Sequence, residues 1–290
     1  MNTLPIPSWR MNRSLDVKSI SLSKESLASK FFWWLYLPFG SVLAIFRLCL
    51  LFVGLNLLRL LHIKQCPATN AFVRRVLGIQ ITYNLNQDAM QKHLAGRIVA
   101  VNHISVYDMF VPLNLPQAAV IFAKPKGRVL NFLIQSIVRN MHGITWDVYH
   151  KRALIKHYRA WKQQPQKLCL FVAPEKTINN GDGLFAFEAD LFARGYEVVP
   201  MALKMRLPFG LHPHASYLSY FGRLWRLLSL PFIQIEANAL AARPPLKHQF
   251  KPDFARSIQT DIARYLGIPA TAWRPEDKHS YLQVRKLTKF

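Results

Sequence analysis

Cysteine is scarce in this chain, with three in 290 residues. Cys49, Cys66 and Cys169 share no metal-ligand spacing, and Cys49 lies inside an apolar run. A zinc finger is therefore excluded, and three reduced, mostly buried thiols are expected, as suits a reducing compartment or a membrane-facing cytosolic surface. Acidic residues are few as well: 15 Asp and Glu stand against 38 Lys and Arg, a formal net charge of +23. That excess is spread along the chain instead of forming a basic arm, and no RNA-binding signature accompanies it, which argues against nucleic acid as the partner. Phosphates or an acidic membrane surface fit the charge better. Internal repeats, low-complexity segments and a small-residue signal-peptide cleavage site are also missing.

Hydrophobic residues, in contrast, make up 51% of the chain, enough for a substantial core. Residues 31–58 hold a single charge, Arg47. At about 1.5 Å per residue this run makes a helix of roughly 42 Å, against about 30 Å of hydrocarbon. It is long enough to span a bilayer once with tilt and too short to cross twice. Pro38, Gly40 and Gly54 offer break points, and Trp33, Trp34 and Tyr36 cluster at one end as interfacial aromatics do. Arg10, Arg13, Lys18, Lys24 and Lys30 precede the run; Arg59, Lys64, Arg74 and Arg75 follow it. Two basic flanks favour a hairpin over residues 31–61 with both ends in the cytosol, with a single span as the alternative. Arg47 would then snorkel or sit against protein. A buried core helix is the third possibility.

Residues 1–30 are polar and Ser-rich and are expected to form a flexible basic N-terminus; 67–70 reads as a short linker or cap and 271–290 as a basic tail. Between them, over 68–270, strand-like and helix-like stretches alternate, which predicts a layered α/β domain with a mixed central sheet flanked by helices. Strands are expected at 97–102, 118–123, 143–149, 167–173, 197–204 and 232–237. Helices are expected at 106–113, 128–140, 152–163 and 254–266. The stretch 217–230 alternates Leu218, Phe221, Leu224, Leu227 and Leu228 with Arg223 and Arg226 and stops at Pro231. It is an amphipathic surface helix or a second contact with the bilayer interface.

Chemistry enters at V-N-H-I-S-V-Y-D, residues 101–108. His103 and Asp108 directly follow an apolar strand, the position where open α/β sheets bind ligands. Neutral imidazole takes a proton from a hydroxyl near pH 7, and a carboxylate on its other nitrogen fixes the tautomer. A second pair of the same spacing, His142 and Asp147, falls on a strand, where residues five apart face opposite sides. Farther on, the strand at 167–173 runs into P-E-K-T-I-N-N-G-D-G, a polar loop whose backbone N–H groups can cradle a phosphate beside Lys176 and Thr177. Glu175 in this loop either holds the loop or accepts a bond from a substrate hydroxyl.

In this order, N-H-I-S-V-Y-D, A-P-E-K-T and V-V-P-M-A (198–202) resemble the glycerophospholipid acyltransferase family of the lysophosphatidate type, which carries an H-x4-D motif, a P-E-G-T-type phosphate motif and a later V-P element. The resemblance covers roughly residues 68–240, and within the family the chain looks most like the ancient-ubiquitous-protein branch with its membrane hairpin. It implies an acyl-CoA-dependent transferase of phospholipid biosynthesis, with a lysophospholipid as acceptor, a membrane surface as partner and no metal or bound cofactor. His103 and Asp108 would be catalytic. Asn102, Ser105, Glu175, Lys176 and Thr177 would bind substrate. Lys176 and Ile178 stand where the family's phosphate motif has Gly and Arg. Val148 stands near a further family Arg, for which Lys151 and Arg152 would substitute. These departures open an alternative, an inactive homologue binding lipid at a membrane or lipid-droplet surface. The implied location is a membrane with the site on the cytosolic face: endoplasmic reticulum or lipid droplet in a eukaryote, inner membrane in a bacterium.

Overall fold

The computed structural model describes residues 16–22, 25–60, 67–115, 118–123, 144–146, 161, 163, 169–192, 195–215, 218–244 and 251–287. Their centre is a mixed sheet of β1 (Ile79–Tyr83), β2 (Ile98–Val101), β3 (Ala118–Ala123), β4 (Ile144–Trp146), β5 (Cys169–Val172), β6 (Val198–Arg206) and β7 (Ile233–Ala239), in the order β1-β7-β6-β2-β5-β3-β4. All neighbours run parallel except β6 and β7. The six expected strands are all present. β1, whose five residues are too short for its alternation to stand out, is an addition.

Strand alternation builds two cores. Val99 and Val101 of β2 point to one side with Met201, Leu203 and Ile233, while Ile98 and Ala100 point to the other with Leu170, Val172 and Val198. The first side is closed by α2 (Leu27–Leu60), α3 (Pro67–Leu77) and α5 (Tyr220–Ser229), which lies beyond α4 (Gln87–Leu94) in the chain. The second is closed by α6 (Lys251–Leu266) through Phe254, Ala255, Ile258 and Ile262.

Several expectations change. The apolar run is one continuous helix of 34 residues with Pro38 inside it, and no hairpin turn interrupts it. Its length and composition suffice for a membrane crossing, yet Trp33, Ala44, Arg47 and Leu51 are buried against the domain. Arg47 donates to the carbonyls of Leu228 (2.8 Å), Leu230 (2.5 Å) and Pro231 (2.9 Å), satisfying the open C-terminus of α5. Gly78, at φ 68°, lets the guanidinium approach, because a side chain there would collide with it. Cys49 is exposed on α2, whereas burial pushes the Cys169 thiol up to about 12; Cys66 lies outside the described residues.

Residues 16–22 and 25–30 of the N-terminal region carry defined structure despite their polar composition. A short helix, α1 (Val17–Ser21), is capped by Asp16 and buries Ile20, while Glu25 forms a buried ion pair with Arg226 of α5. Residues 67–70, read as a linker or cap, open α3, where proline suits the first turn. In place of a helix over 106–113 there is a 3-10 helix, Asp108–Asn114, because Asp108 first closes a turn with its side chain and Pro112 then lacks an N–H. Part of the expected tail is α7 (Pro275–Leu287). The helices expected at 128–140 and, save Trp161 and Gln163, at 152–163 fall outside the described residues, as do His142 and Asp147.

Candidate active site

β2 ends at Val101 and delivers Asn102 and His103 to the carboxyl edge of the sheet. The next turn is organised by a single oxygen. Oδ2 of Asp108 accepts from Ile104 N (2.6 Å), Ser105 N (2.9 Å) and His103 Nδ1 (3.1 Å). The carboxylate assigns the ring proton to Nδ1, which leaves Nε2 as the basic nitrogen. His103 keeps 23% of its side chain exposed while Asp108 keeps 2%, so the imidazole is accessible and its carboxylate partner is not.

The backbone of His103 is gripped from both sides. Its N–H donates to Glu175 Oε1 (2.8 Å), and its carbonyl accepts from Asn179 N (2.7 Å). Glu175 is fully buried and also accepts from Asn179 Nδ2 (2.8 and 2.9 Å) and Phe185 N (2.8 Å). Burial pushes its carboxyl up to about 8; the three groups that donate to it pull the other way, and the Asp108 charge adds to the rise.

Three of the expected substrate-binding residues are engaged by protein groups, and for Glu175 this is the loop-holding role that the sequence offered as one of two. Glu175 spends both oxygens on protein donors. Asn102 is buried and uses its whole amide on Leu203, donating to its carbonyl (3.0 Å) and accepting from its N–H (2.7 Å), which ties β2 to β6. Ser105 is buried and its hydroxyl accepts from Tyr107 N (3.2 Å). All three hold the frame. Lys176 and Thr177 are partly exposed beside it, and Lys176 lies 3.6 Å from Glu188. Lys176 takes φ 51°, the left-handed region that favours the glycine expected there, at a cost of about 1–2 kcal/mol for a side-chain-bearing residue. Lys151 and Arg152 lie outside the described residues. Sequence reasoning missed Asn179, Phe185 and Lys278, whose Nζ donates to the carbonyl of Ile178. The N-N-G wording after the phosphate-type loop was the one available signal, for Asn179.

The architecture matches the crystal structure of the 1-acyl-sn-glycerophosphate acyltransferase PlsC from Thermotoga maritima with a TM-score of 0.51 at 13% identity, over 79% of this chain and 94% of that one. No protein-family model matches the sequence. Together with sequence relatives, this fold defines a domain of the glycerophospholipid acyltransferase type. Such relatives include the lipid droplet-regulating VLDL assembly factor AUP1 of Xenopus laevis, 25% identical over 261 residues, and glycerol-3-phosphate acyltransferase 4 of Bos taurus, 27% identical over 209. Those alignments cover 87% and 69% of this chain. The chain spans about three-fifths of the length of AUP1 (61%) and 44% of the bovine enzyme.

Proposed function

We propose that this protein is a membrane-bound acyltransferase that moves an acyl chain from acyl-CoA to a hydroxyl of a lysophospholipid of the lysophosphatidate type. The observation that carries the proposal is the accessible His103 ring with Nδ1 on a buried carboxylate. In the reaction, Nε2 takes the proton of the acceptor hydroxyl as its oxygen attacks the thioester carbonyl. Asp108 stabilises the imidazolium. Collapse of the tetrahedral intermediate expels the CoA thiolate, which recovers the proton, and leaves the new ester. A general base of this kind contributes about 10²–10⁴-fold. Positioning supplies more, and the grip of Glu175 and Asn179 on the His103 backbone provides it. No metal or bound cofactor enters this scheme, and the positive net charge suits the phosphates of CoA and of the acceptor.

We infer further that α2 lies in the plane of the interface, on the cytosolic side. Arg47 and the residues a turn or more on either side fasten one face of the helix to the domain, while Phe31, Phe39, Val42, Phe46 and Phe52 stand exposed on its remaining surface. A crossing orientation would draw α5 and the sheet into hydrocarbon with it.

The test is transfer from labelled acyl-CoA to a panel of lysolipids, wild type beside His103→Ala, with circular dichroism melts of both proteins. Product is expected from the wild type and none from a folded His103→Ala. Equal activity in the two rejects the assigned base. The likeness to the lipid droplet-regulating factor AUP1 and the altered residues Lys176 and Ile178 favour a second reading, a lipid-binding protein without turnover. Failure to transfer to any acceptor, with lipid binding intact, selects it.

A further inference from the structure

The stretch 217–230 offers either a plain surface helix or a second contact with the bilayer, and the surroundings of α5 separate the two. Leu227 and Leu228 of α5 are buried, whereas Phe221, in its first turn, is 68% exposed. The Phe221 ring stacks on Trp225 with centres 6.0 Å apart, and Trp225 in turn packs against the core that α2 closes. One exposed ring alone carries no meaning, since apolar residues scattered singly are normal on protein surfaces.

A second ring stands close by under strain. Phe209, in the turn Pro208–Gly210, takes φ 61°, the left-handed region that suits glycine and not a bulky side chain. Such strain, where the surrounding structure maintains it, points to a function for the residue that bears it. The Phe209 ring is 36% exposed and lies 5.0 Å from the Tyr36 ring of α2. On a helix, Phe32 and Phe39 are the neighbours of Tyr36, and both are exposed. Phe209 therefore extends the outward face of α2 sideways.

The three elements are joined. Ser229 of α5 sits so close to Gly40 of α2 that a side chain at 40 would meet its carbonyl at 2.9 Å. Ser29 Oγ donates to the Gly210 carbonyl (3.2 Å), and Glu25 accepts from His212 N (3.0 Å) and pairs with Arg226, whose guanidinium lies 5.8 Å from the Trp33 ring. Their place in the fold is also defined. Val101 at the end of β2 pairs with Met201, and β6 runs on in the same direction to Arg206 before the turn. The turn stands beyond the carboxyl edge of the sheet, the edge that carries His103.

We propose that Phe209 and Phe221 insert into a lipid bilayer beside α2. The protein then rests on the membrane at three points, with the His103 edge of the sheet nearer the lipid than the opposite edge. Lipid is the occupant because the patch continues the face of α2, whose exposed apolar residues run from Leu27 to Leu60. The net charge of +23 suits an anionic lipid surface and opposes the pairing of two copies. Continuity of the patch rests on the reading of α2 as an interfacial helix; the immersion of the two rings is measured separately from it.

The experiment uses the full chain carrying Cys49→Ser and Cys66→Ser, in which buried Cys169, its thiol held high, stays unlabelled. A fluorescent dye is attached through Phe209→Cys, Phe221→Cys, Phe39→Cys or Tyr265→Cys, one position at a time, and circular dichroism checks each fold. Each protein is reconstituted into vesicles of phosphatidylcholine and phosphatidylserine. Quenching by a nitroxide on the lipid chains is compared with quenching by iodide in the water. The dyes at positions 209 and 221 are expected to be quenched several-fold more by the nitroxide than the dye at 265, which iodide reaches; the dye at 39 should behave as they do. Should Phe209→Cys not fold, Phe221→Cys decides alone. Iodide access at 209 and 221 equal to that at 265 overturns the proposal, and the dye at 39 then shows whether α2 still lies in lipid. Nitroxide quenching at only one of the two rings overturns the three-point arrangement. Shielding of both from either quencher means that protein covers them, which also overturns it, and sedimentation velocity identifies a second copy. Rings in lipid with position 39 in water leave the proposal standing and sink the placement of α2.

Discussion

The two faces of the sheet are covered by helices of opposite character. α6 turns Phe254, Ala255, Ile258 and Ile262 inward, and its other side carries Asp261 and Arg264, with Asp261 bound to Arg243 at 2.8 Å. That is the pattern of a helix between a core and water. α2 packs a narrow face on the opposite core and presents apolar residues elsewhere, with Phe39 73% and Phe46 58% exposed. A helix apolar all round belongs in a medium that is not water. The same sheet is thus roofed for water on one side and, in the function proposed above, for lipid on the other.

The largest expected effect breaks that contrast at its outer surface. Replacing both Phe39 and Phe46 by Asp should weaken binding to anionic vesicles about a hundredfold or more, since burying each ring is worth roughly 1.5–3 kcal/mol. Tyr265→Asp on α6 should change binding little, and co-sedimentation reads both. Equal losses would show that the whole surface, not α2, holds the membrane. An intermediate effect probes the inner surfaces. Leu230→Ala on the α2 side and Ile258→Ala on the α6 side should each cost about 2–5 kcal/mol in denaturant unfolding. A silent Leu230→Ala would mean that α2 and α5 are not packed as described. The smallest effect concerns Glu175, which joins the His103 turn to the Phe185 strand-like segment leading toward the second core. Its carboxyl rises from 4.5 to about 8 on folding, so the native state holds a proton that the unfolded chain has released. That contribution is full below pH 4.5 and is lost as pH rises through about 8. The melting-temperature difference between wild type and Glu175→Gln should shrink in that direction, and a difference independent of pH would contradict it.

Much of this was legible in the sequence where one residue's neighbours decide its fate. Strands with uniform apolar wording, such as 169–172, announce burial on both faces. The His103–Asp108 spacing announced the pair but not its geometry, because the carboxylate's bonds to Ile104 N and Ser105 N convert the expected helix into a turn. Long-range partners were invisible. Arg47 looked like a lone charge in an apolar run, and only the fold brings the carbonyls of 228–231 to it. The polar wording of 16–22 gave no hint of Asn180 waiting to hold it.

Arg47 also fixes an order of events during synthesis. Its first carbonyl partner, Leu228, lies 181 residues downstream. At about 5–20 residues per second, the ribosome delivers that partner roughly 10–40 seconds after the guanidinium has been made. For that interval the greasy helix has neither its dock nor its counterpart, so the nascent chain needs a chaperone or an early landing on lipid before the domain can close around it.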